Sequence, residues 1–176
     1  MMVRLFASFL ALVSLMPLAA MAHGPSRQKV VEQIEINAPA DKVWAVVGNF
    51  QDMSWHPAVK KTEGKGGNDV GATRTLTLDG GGQIFEKLTK YSAEGKTLSY
   101  EITEVDTKVL PVSNYAAHLT VTPDGDKSKV EWKSAFYRGY VNNDPPPELN
   151  DEAAVKAITG VFQGGLAGLK KKLEGG

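Results

Sequence analysis

The 176-residue chain contains no cysteine, and 20 Lys and Arg residues are balanced by 20 Asp and Glu residues. Without cysteine there is no disulfide, no thiolate nucleophile, and no cysteine-ligated zinc or iron–sulfur centre. A formal net charge of zero gives no electrostatic basis for holding a phosphate backbone, which argues against nucleic-acid binding. The 42% hydrophobic and 23% charged residues are ordinary for a globular protein and exclude a disordered or fibrous chain.

One mostly apolar run lies at the amino terminus. Arg4 precedes the apolar stretch at residues 5–18, and Ala20-Met21-Ala22 has the small-x-small pattern of a cleavage site. The run is shorter than the roughly 20 apolar residues of a transmembrane helix, so a membrane anchor or a buried helix is less favoured. We expect residues 1–22 to be a cleaved signal peptide and residues 23–176 to form one exported domain.

Hydrophobic periodicity predicts the elements of that domain. Alternation over Gln28–Ile36 predicts a first strand, Asn37-Ala38-Pro39 opens a helix, and a short turn of helix is expected at Asp52–His56 before Pro57. Alternating segments separated by turns then predict an antiparallel meander with one buried face, at residues 71–78, 83–91, 98–102, 115–121 and 130–136.

The carboxy-terminal segment changes period. Apolar residues between Val155 and Leu173 recur at three- and four-residue steps, which predicts one long amphipathic helix. Its glycines favour either very close packing or a loosely held helix that acts as a lid; they are Gly160, Gly164, Gly165 and Gly168. The pattern predicts an α+β fold in which a curved sheet grips this helix around a cavity, with two short helices near the amino terminus.

Several motifs carry a resemblance to a known family. They are residues 36–44 (INAPADKVW), Trp55-His56-Pro57, Gly71–Arg74, Glu86–Leu88, Ser99–Ile102, Leu110–Tyr115, Val130–Trp132 and Gly164–Leu169. In this order they resemble the polyketide cyclase/dehydrase-type branch of the START-like (SRPBCC) superfamily. The resemblance implies a helix-grip fold of the Bet v 1/START-like kind and a cavity that binds ligands.

A narrower resemblance rests on the leader followed by His23-Gly24-Pro25 and on residues 48–57 and 136–154. These segments are similar to the MxaD-type periplasmic proteins of methylotrophic bacteria. That resemblance implies a periplasmic, non-enzymatic accessory protein whose partners are methanol dehydrogenase and its cytochrome c electron acceptor.

Arg74 and Glu86 are the most informative charged pair. Pairing centred on the turn at residues 79–82 places Arg74 opposite Glu86 and Leu76 opposite Ile84, so both charges should point into the concave face. One interpretation is a polar floor that orients a ligand carboxylate or carbonyl. The other is a self-contained salt bridge that supports the sheet, because buried charges require partners.

Other candidate cavity residues are aromatic. Trp55-His56-Pro57 is either a gate over the cavity mouth, with His56 as a general acid or base, or an aromatic cap that only packs. Tyr100 should face the cavity near Leu88, as a hydrogen-bond donor to a ligand or as part of the core. Trp132 is expected to line the same cavity. His118 alternates onto the opposite face and is expected to be exposed.

No metal or cofactor is expected. His23 would be amino-terminal after processing, but the further ligands of a copper site are not evident. The acidic residues Asp144, Glu148, Asp151 and Glu152 lack the spacing of an EF-hand, and acidic residues are common at a helix start.

Tyr137–Glu148 is the most unusual surface segment. It combines Tyr137 and Tyr140 with the stiff run Pro145-Pro146-Pro147. Rigid proline beside exposed aromatic residues suits a contact with a partner protein. The alternative is a connector that only sets the angle of the last helix, but such a connector could be shorter.

Three functions are compatible with these observations. The first is the non-enzymatic accessory role, supported by the lack of a nucleophile–base pair, metal cluster or phosphate loop. The second is a carrier of a small apolar ligand, with a cavity lined by Leu76, Leu88, Tyr100, Leu119 and Trp132. The third and least favoured is a cyclase- or dehydratase-like enzyme that uses His56, Glu86 or Arg74.

Overall fold

Seven strands and two α-helices make up residues 24–175, the part of the chain that the computed structural model describes. The expected signal peptide lies outside these residues. In chain order the elements are β1 (Gln28–Ile36), α1 (Ala40–Val47), β2 (Val59–Lys65), β3 (Thr73–Leu78), β4 (Gln83–Ser92), β5 (Thr97–Val105), β6 (Val112–Asp124), β7 (Lys127–Arg138), a 3-10 turn (Pro147–Leu149) and α2 (Asp151–Glu174).

The strands form one antiparallel sheet in the order β1-β7-β6-β5-β4-β3-β2. Alternate residues of each central strand are buried on one face, as period-two patterning predicts. Register shifts interrupt the pairing of β2 with β3, of β4 with β5 and of β6 with β7. Such bulges bend a strand and increase its twist, so the sheet curves around its buried face.

Helix α2 fills the concave face of the sheet. Asn150 caps its amino end by accepting a hydrogen bond from the Ala153 amide at 2.8 Å. Its apolar stripe packs mainly against β1 and β7, and the Trp132 ring stacks on Phe162 with 4.3 Å between centroids. This arrangement confirms the predicted α+β helix-grip fold. No helix within residues 24–175 is both long and apolar enough to span a membrane.

The predicted helical turn at Asp52–His56 is wrong. This segment makes turns, in which the Asp52 amide donates to the Asn49 carbonyl and the His56 amide donates to the Met53 carbonyl. The Asp52 side chain also accepts a hydrogen bond from the Ser54 amide at 2.8 Å. Local side-chain bonds of this kind compete with helix formation, and Pro57 has no amide to continue a helix.

Strand β2 was not predicted, because its sequence, VKKTEGK, is almost entirely polar. It lies at the edge of the sheet, where it pairs only with β3. Most of its side chains are exposed, so it lacks the alternation by which a half-buried strand is found.

The glycines of α2 fall into two classes. A Cβ atom on Gly165 would lie 2.5 Å from Cδ2 of His56, and one on Gly168 would lie 2.5 Å from the carbonyl oxygen of Trp55. At Gly160 and Gly164 a Cβ atom would meet nothing within 4 Å. Gly165 and Gly168 therefore permit close packing on Trp55-His56-Pro57. This is the first of the two alternatives predicted from the sequence, very close packing rather than a loosely held lid.

Two neighbouring substitutions should separate these classes. We expect Gly165→Ala to destabilise the fold by about 1–3 kcal/mol through overpacking. Gly164→Ala should instead stabilise it by about 0.5–1 kcal/mol, because alanine favours helix at an open position. Urea unfolding followed by tryptophan fluorescence measures both changes. Equal effects of the two variants would contradict close packing at Gly165.

Candidate functional site

A small cavity of about 90 Å³ lies between the sheet and α2. Most of its wall is apolar and includes Leu76, Ile84, Ile102, Leu110, Ile158 and Val161. Five side chains with polar atoms also line it: His56, Glu86, Tyr100, Tyr115 and Trp132. The half-buried side chains of Val59, Leu78 and Val109 lie on the solvent side. The predicted hollow exists, but packed side chains fill most of the interior.

Arg74 and Glu86 pair across β3 and β4 as predicted, beside the pair Leu76 and Ile84. Both charged side chains are buried, and Arg74 Nε donates to Glu86 Oε2 at 2.6 Å. Arg74 Nη1 donates to the Phe50 carbonyl at 2.8 Å, and the guanidinium lies over the Phe50 ring. Burial raises the pKa of Glu86, although the neighbouring Arg74 guanidinium opposes this shift.

Only one member of this pair reaches the cavity. Glu86 lines the wall, whereas Arg74 is enclosed by Glu86, Phe50 and Tyr100. A ligand carboxylate would therefore meet a carboxyl group rather than a guanidinium. The geometry favours the salt bridge as support for the sheet and gives the cavity an acceptor.

The Trp55-His56-Pro57 segment is packed beneath α2, so its aromatic side chains do not form a gate. Trp55 and His56 are both buried, and the Trp55 ring packs against Trp132 at 5.6 Å between centroids. His56 Nε2 lies 3.0 Å from the Val161 carbonyl, and His56 Nδ1 lies 3.2 Å from the Ala58 amide. Because the carbonyl only accepts, Nε2 carries the proton and Nδ1 accepts from the amide.

Tyr100 faces inward opposite Leu88, as predicted. Its hydroxyl accepts a hydrogen bond from Trp132 Nε1 at 3.0 Å. Burial raises the pKa of Tyr100, and the Glu86 charge adds to this shift. The hydroxyl group of Tyr100 therefore remains protonated near pH 7.

Some predicted cavity residues do not line the cavity. Trp55, Leu88 and Leu119 are buried in the core, away from its wall. Tyr115, which was not predicted as a site residue, does line it. The alternation of Tyr115 with Ala117 and Leu119 could have identified it, because all three share the inner face.

His118 lies on the outer face, as predicted, but it is half-buried rather than exposed. Its Nδ1 is 2.8 Å from Ser99 Oγ, and its Nε2 is 2.9 Å from Thr120 Oγ1. Strand β5 supplies the Ser99 hydroxyl, a cross-strand contact that the sequence of β6 alone does not contain, whereas Thr120 lies two residues along β6.

The segment after β7 is held by a buried arginine that was not predicted as important. Arg138 Nε donates to the Tyr140 carbonyl at 2.8 Å, and Nη2 donates to the Asn142 carbonyl at 2.9 Å. Its Nη1 pairs with Asp151 at the start of α2. This side chain, which we call the Arg138 clamp, fixes the path of the segment.

The clamp presents the predicted partner-binding residues unevenly. Among them Pro147 is exposed, and Val141 of the same segment, which was not itself predicted as a contact residue, is 60% exposed. The remaining candidates are half-buried: Tyr137, Tyr140, Pro145 and Pro146. Within residues 24–175, no group of three or more side chains is arranged to hold a metal ion. His23 lies outside the described residues.

A seven-stranded sheet gripping a long terminal helix defines the helix-grip class of protein. A family model described as polyketide cyclase/dehydrase and lipid transport matches residues 27–174. Because the match spans most of the chain, the protein belongs to this family. No match is found among curated proteins.

Solved structures share the fold. An uncharacterised protein from Bacillus thuringiensis is 23% identical with a TM-score of 0.72, over 84% of this chain and 99% of its own. The protein XoxI from Bacillus cereus is 23% identical with a TM-score of 0.70, over 83% and 95%. Norcoclaurine synthase from Thalictrum flavum is 19% identical with a TM-score of 0.63, over 85% and 94%. At these identities the likeness establishes the fold.

Breaking the buried ion pair should be costly. We expect Arg74→Met to destabilise the fold by about 3–5 kcal/mol, because Glu86 would remain buried without its partner. The double variant Arg74→Met/Glu86→Leu should recover most of that loss. Lys87→Met is a matched control, because it removes an exposed pair with Glu101 one residue along β4 and should cost at most about 1 kcal/mol. Urea unfolding measures each value, and similar losses for both single variants would contradict this account.

The ring of His56 should titrate below its usual range, because burial lowers its pKa from 6.5. The His56 ring therefore binds a proton more readily in the unfolded chain than in the folded protein. The stability that neutral His56 contributes is fully present above pH 6.5, and it falls as the pH decreases towards the folded-state pKa. NMR titration of the ring nitrogens checks the midpoint and the Nε2–H tautomer. His56→Gln should show a weaker loss of stability between about pH 7.5 and 5.5. A midpoint at or above 6.5 would contradict this interpretation.

Proposed function

We propose that the protein is a non-enzymatic accessory protein of periplasmic methanol oxidation, which assists methanol dehydrogenase and its cytochrome c. The observation that carries this proposal is the Arg138 clamp. Residues 136–154 carry much of the resemblance to MxaD-type proteins, and the clamp holds Tyr140 and Asn142 of this segment in a defined path. A surface ordered in advance loses less conformational entropy when a partner binds.

The interior supports a role without chemistry. Both nitrogens of His56 are occupied by backbone groups, and Arg74 is occupied by Glu86 and the Phe50 carbonyl. A general acid or base must reach a substrate proton at hydrogen-bond distance. His56 would have to release a backbone partner before it could do so. The enzyme alternative therefore requires rearrangement at His56 and Arg74, two of the three residues on which it depends.

The exposed valine of the clamped segment offers a direct test. We expect Val141→Asp in the mature protein to weaken binding to methanol dehydrogenase or its cytochrome about tenfold or more, because a charge would be buried at the contact. Isothermal titration calorimetry measures binding, and stopped-flow spectroscopy measures electron transfer between the two partners.

Val70→Asp is a matched control, because Val70 is 67% exposed in the loop between β2 and β3. This variant should bind like the unchanged protein. The proposal fails if the unchanged protein alters neither complex formation nor the electron-transfer rate. It also fails at this surface if Val141→Asp binds as tightly as Val70→Asp.

A second candidate function, compatible with the first, is the carriage of a small ligand. The observation that favours it is the apolar cavity of about 90 Å³ beneath α2. Ligand sites for drug-sized molecules are typically about 300–1,000 Å³. This cavity therefore suits a compact molecule and is too small for a long acyl chain or a polycyclic product.

A further inference from the structure

The cavity contains one carboxyl group that is only half engaged. Glu86 lines the wall, and its Oε2 accepts a hydrogen bond from Arg74 Nε at 2.6 Å. Within residues 24–175 no hydrogen bond to Glu86 Oε1 is found. A hydrogen bond that a ligand donates to this carboxyl group between apolar walls would be stabilising.

Three nearby protein donors are already in use, and within residues 24–175 no hydrogen bond from the Tyr100 or Tyr115 hydroxyl on the same wall to Glu86 is found. Arg74 Nη1 donates to the Phe50 carbonyl, Trp132 Nε1 donates to the Tyr100 hydroxyl, and His56 Nε2 donates to the Val161 carbonyl. A ligand therefore meets an available acceptor among mostly apolar side chains. This arrangement selects a molecule with a donor group and a hydrocarbon body.

The charge of the site favours a neutral donor. Arg74 and Glu86 compensate one another in the interior. An anionic ligand would be repelled by Glu86, and a cationic ligand would add an uncompensated charge beside the Arg74 guanidinium. Burying a charge without a partner is strongly unfavourable. A hydroxyl group donates a hydrogen bond without adding charge.

The volume limits the hydrocarbon body. An engineered apolar cavity of about 150 Å³ binds benzene. At about 90 Å³, this cavity accommodates at most one small ring or a short chain. Leu76, Ile84, Ile158 and Val161 supply its apolar contacts.

We propose that the cavity binds a small, uncharged, monohydroxylated compound whose hydroxyl donates to Glu86 and whose hydrocarbon body packs beneath α2. This inference rests on the second candidate function and is independent of the partner surface at Val141. It specifies a ligand class defined by one donor, no charge and the size of a single ring.

Four monosubstituted benzenes test the ligand class on the mature protein. Phenol and toluene differ by a hydroxyl in place of a methyl, while benzylamine and benzoate carry opposite charges at pH 7. We expect phenol to bind at least tenfold more tightly than toluene and the charged probes to bind more weakly than either. Titrations followed by ¹H–¹⁵N NMR measure the dissociation constants and show whether the shifts lie at the cavity.

Glu86→Gln tests the role of the carboxyl group. Its amide is expected to orient its oxygen towards Arg74 and its NH₂ towards the cavity, so the phenol preference should fall to about threefold or less while toluene binding is retained. Glu104→Gln makes the same chemical change at an exposed position of β5 and should keep the full preference. If Glu86→Gln does not fold, the four probes on the unchanged protein still decide the ligand class.

The outcomes separate this inference from the proposed functions. If toluene binds as tightly as phenol, the ligand class is overturned and the carrier function is unaffected. The same conclusion follows if Glu86→Gln keeps the full preference for phenol. Failure of all four probes to bind would overturn both the ligand class and the carrier function. None of these results affects the accessory role, which depends on the Val141 comparison.

Discussion

The close approach of α2 to Trp55-His56-Pro57 determines what the interior of this protein can hold. Gly165 and Gly168 bring the helix backbone against His56 and the Trp55 carbonyl, where a Cβ atom would collide. The Trp132 ring then stacks on Phe162 and fills the centre of the concave face. A larger side chain at either glycine would separate the layers, and so the same contact limits the cavity volume.

The buried ion pair determines the chemical character of the remaining space. Arg74 points away from the cavity into an aromatic and carbonyl environment, while Glu86 forms part of the wall. Charged groups in a protein interior require partners, and these two provide them for one another. The cavity consequently combines apolar walls with one carboxyl group and the hydroxyl groups of Tyr100 and Tyr115.

The interior and the outer segment are organised by different arginines. Arg74 joins β3 to β4 and to the turn that follows α1, whereas Arg138 joins the end of β7 to the start of α2. The guanidinium of Arg138 satisfies two loop carbonyls that no strand or helix would satisfy. The ordered segment that follows β7 and the small cavity can therefore exist in one domain without sharing side chains.

The sequence by itself determined the features that depend on nearby residues. Alternation specified the inner face of the strands, the turn at residues 79–82 specified the register of Arg74 with Glu86, and the three- and four-residue steps specified α2. Tertiary structure decided the volume of the cavity, which member of the ion pair faces it, and the occupation of His56 by the Val161 carbonyl. His56 and Val161 are 105 positions apart, and no local pattern records a distance set by packing a helix onto a curved sheet.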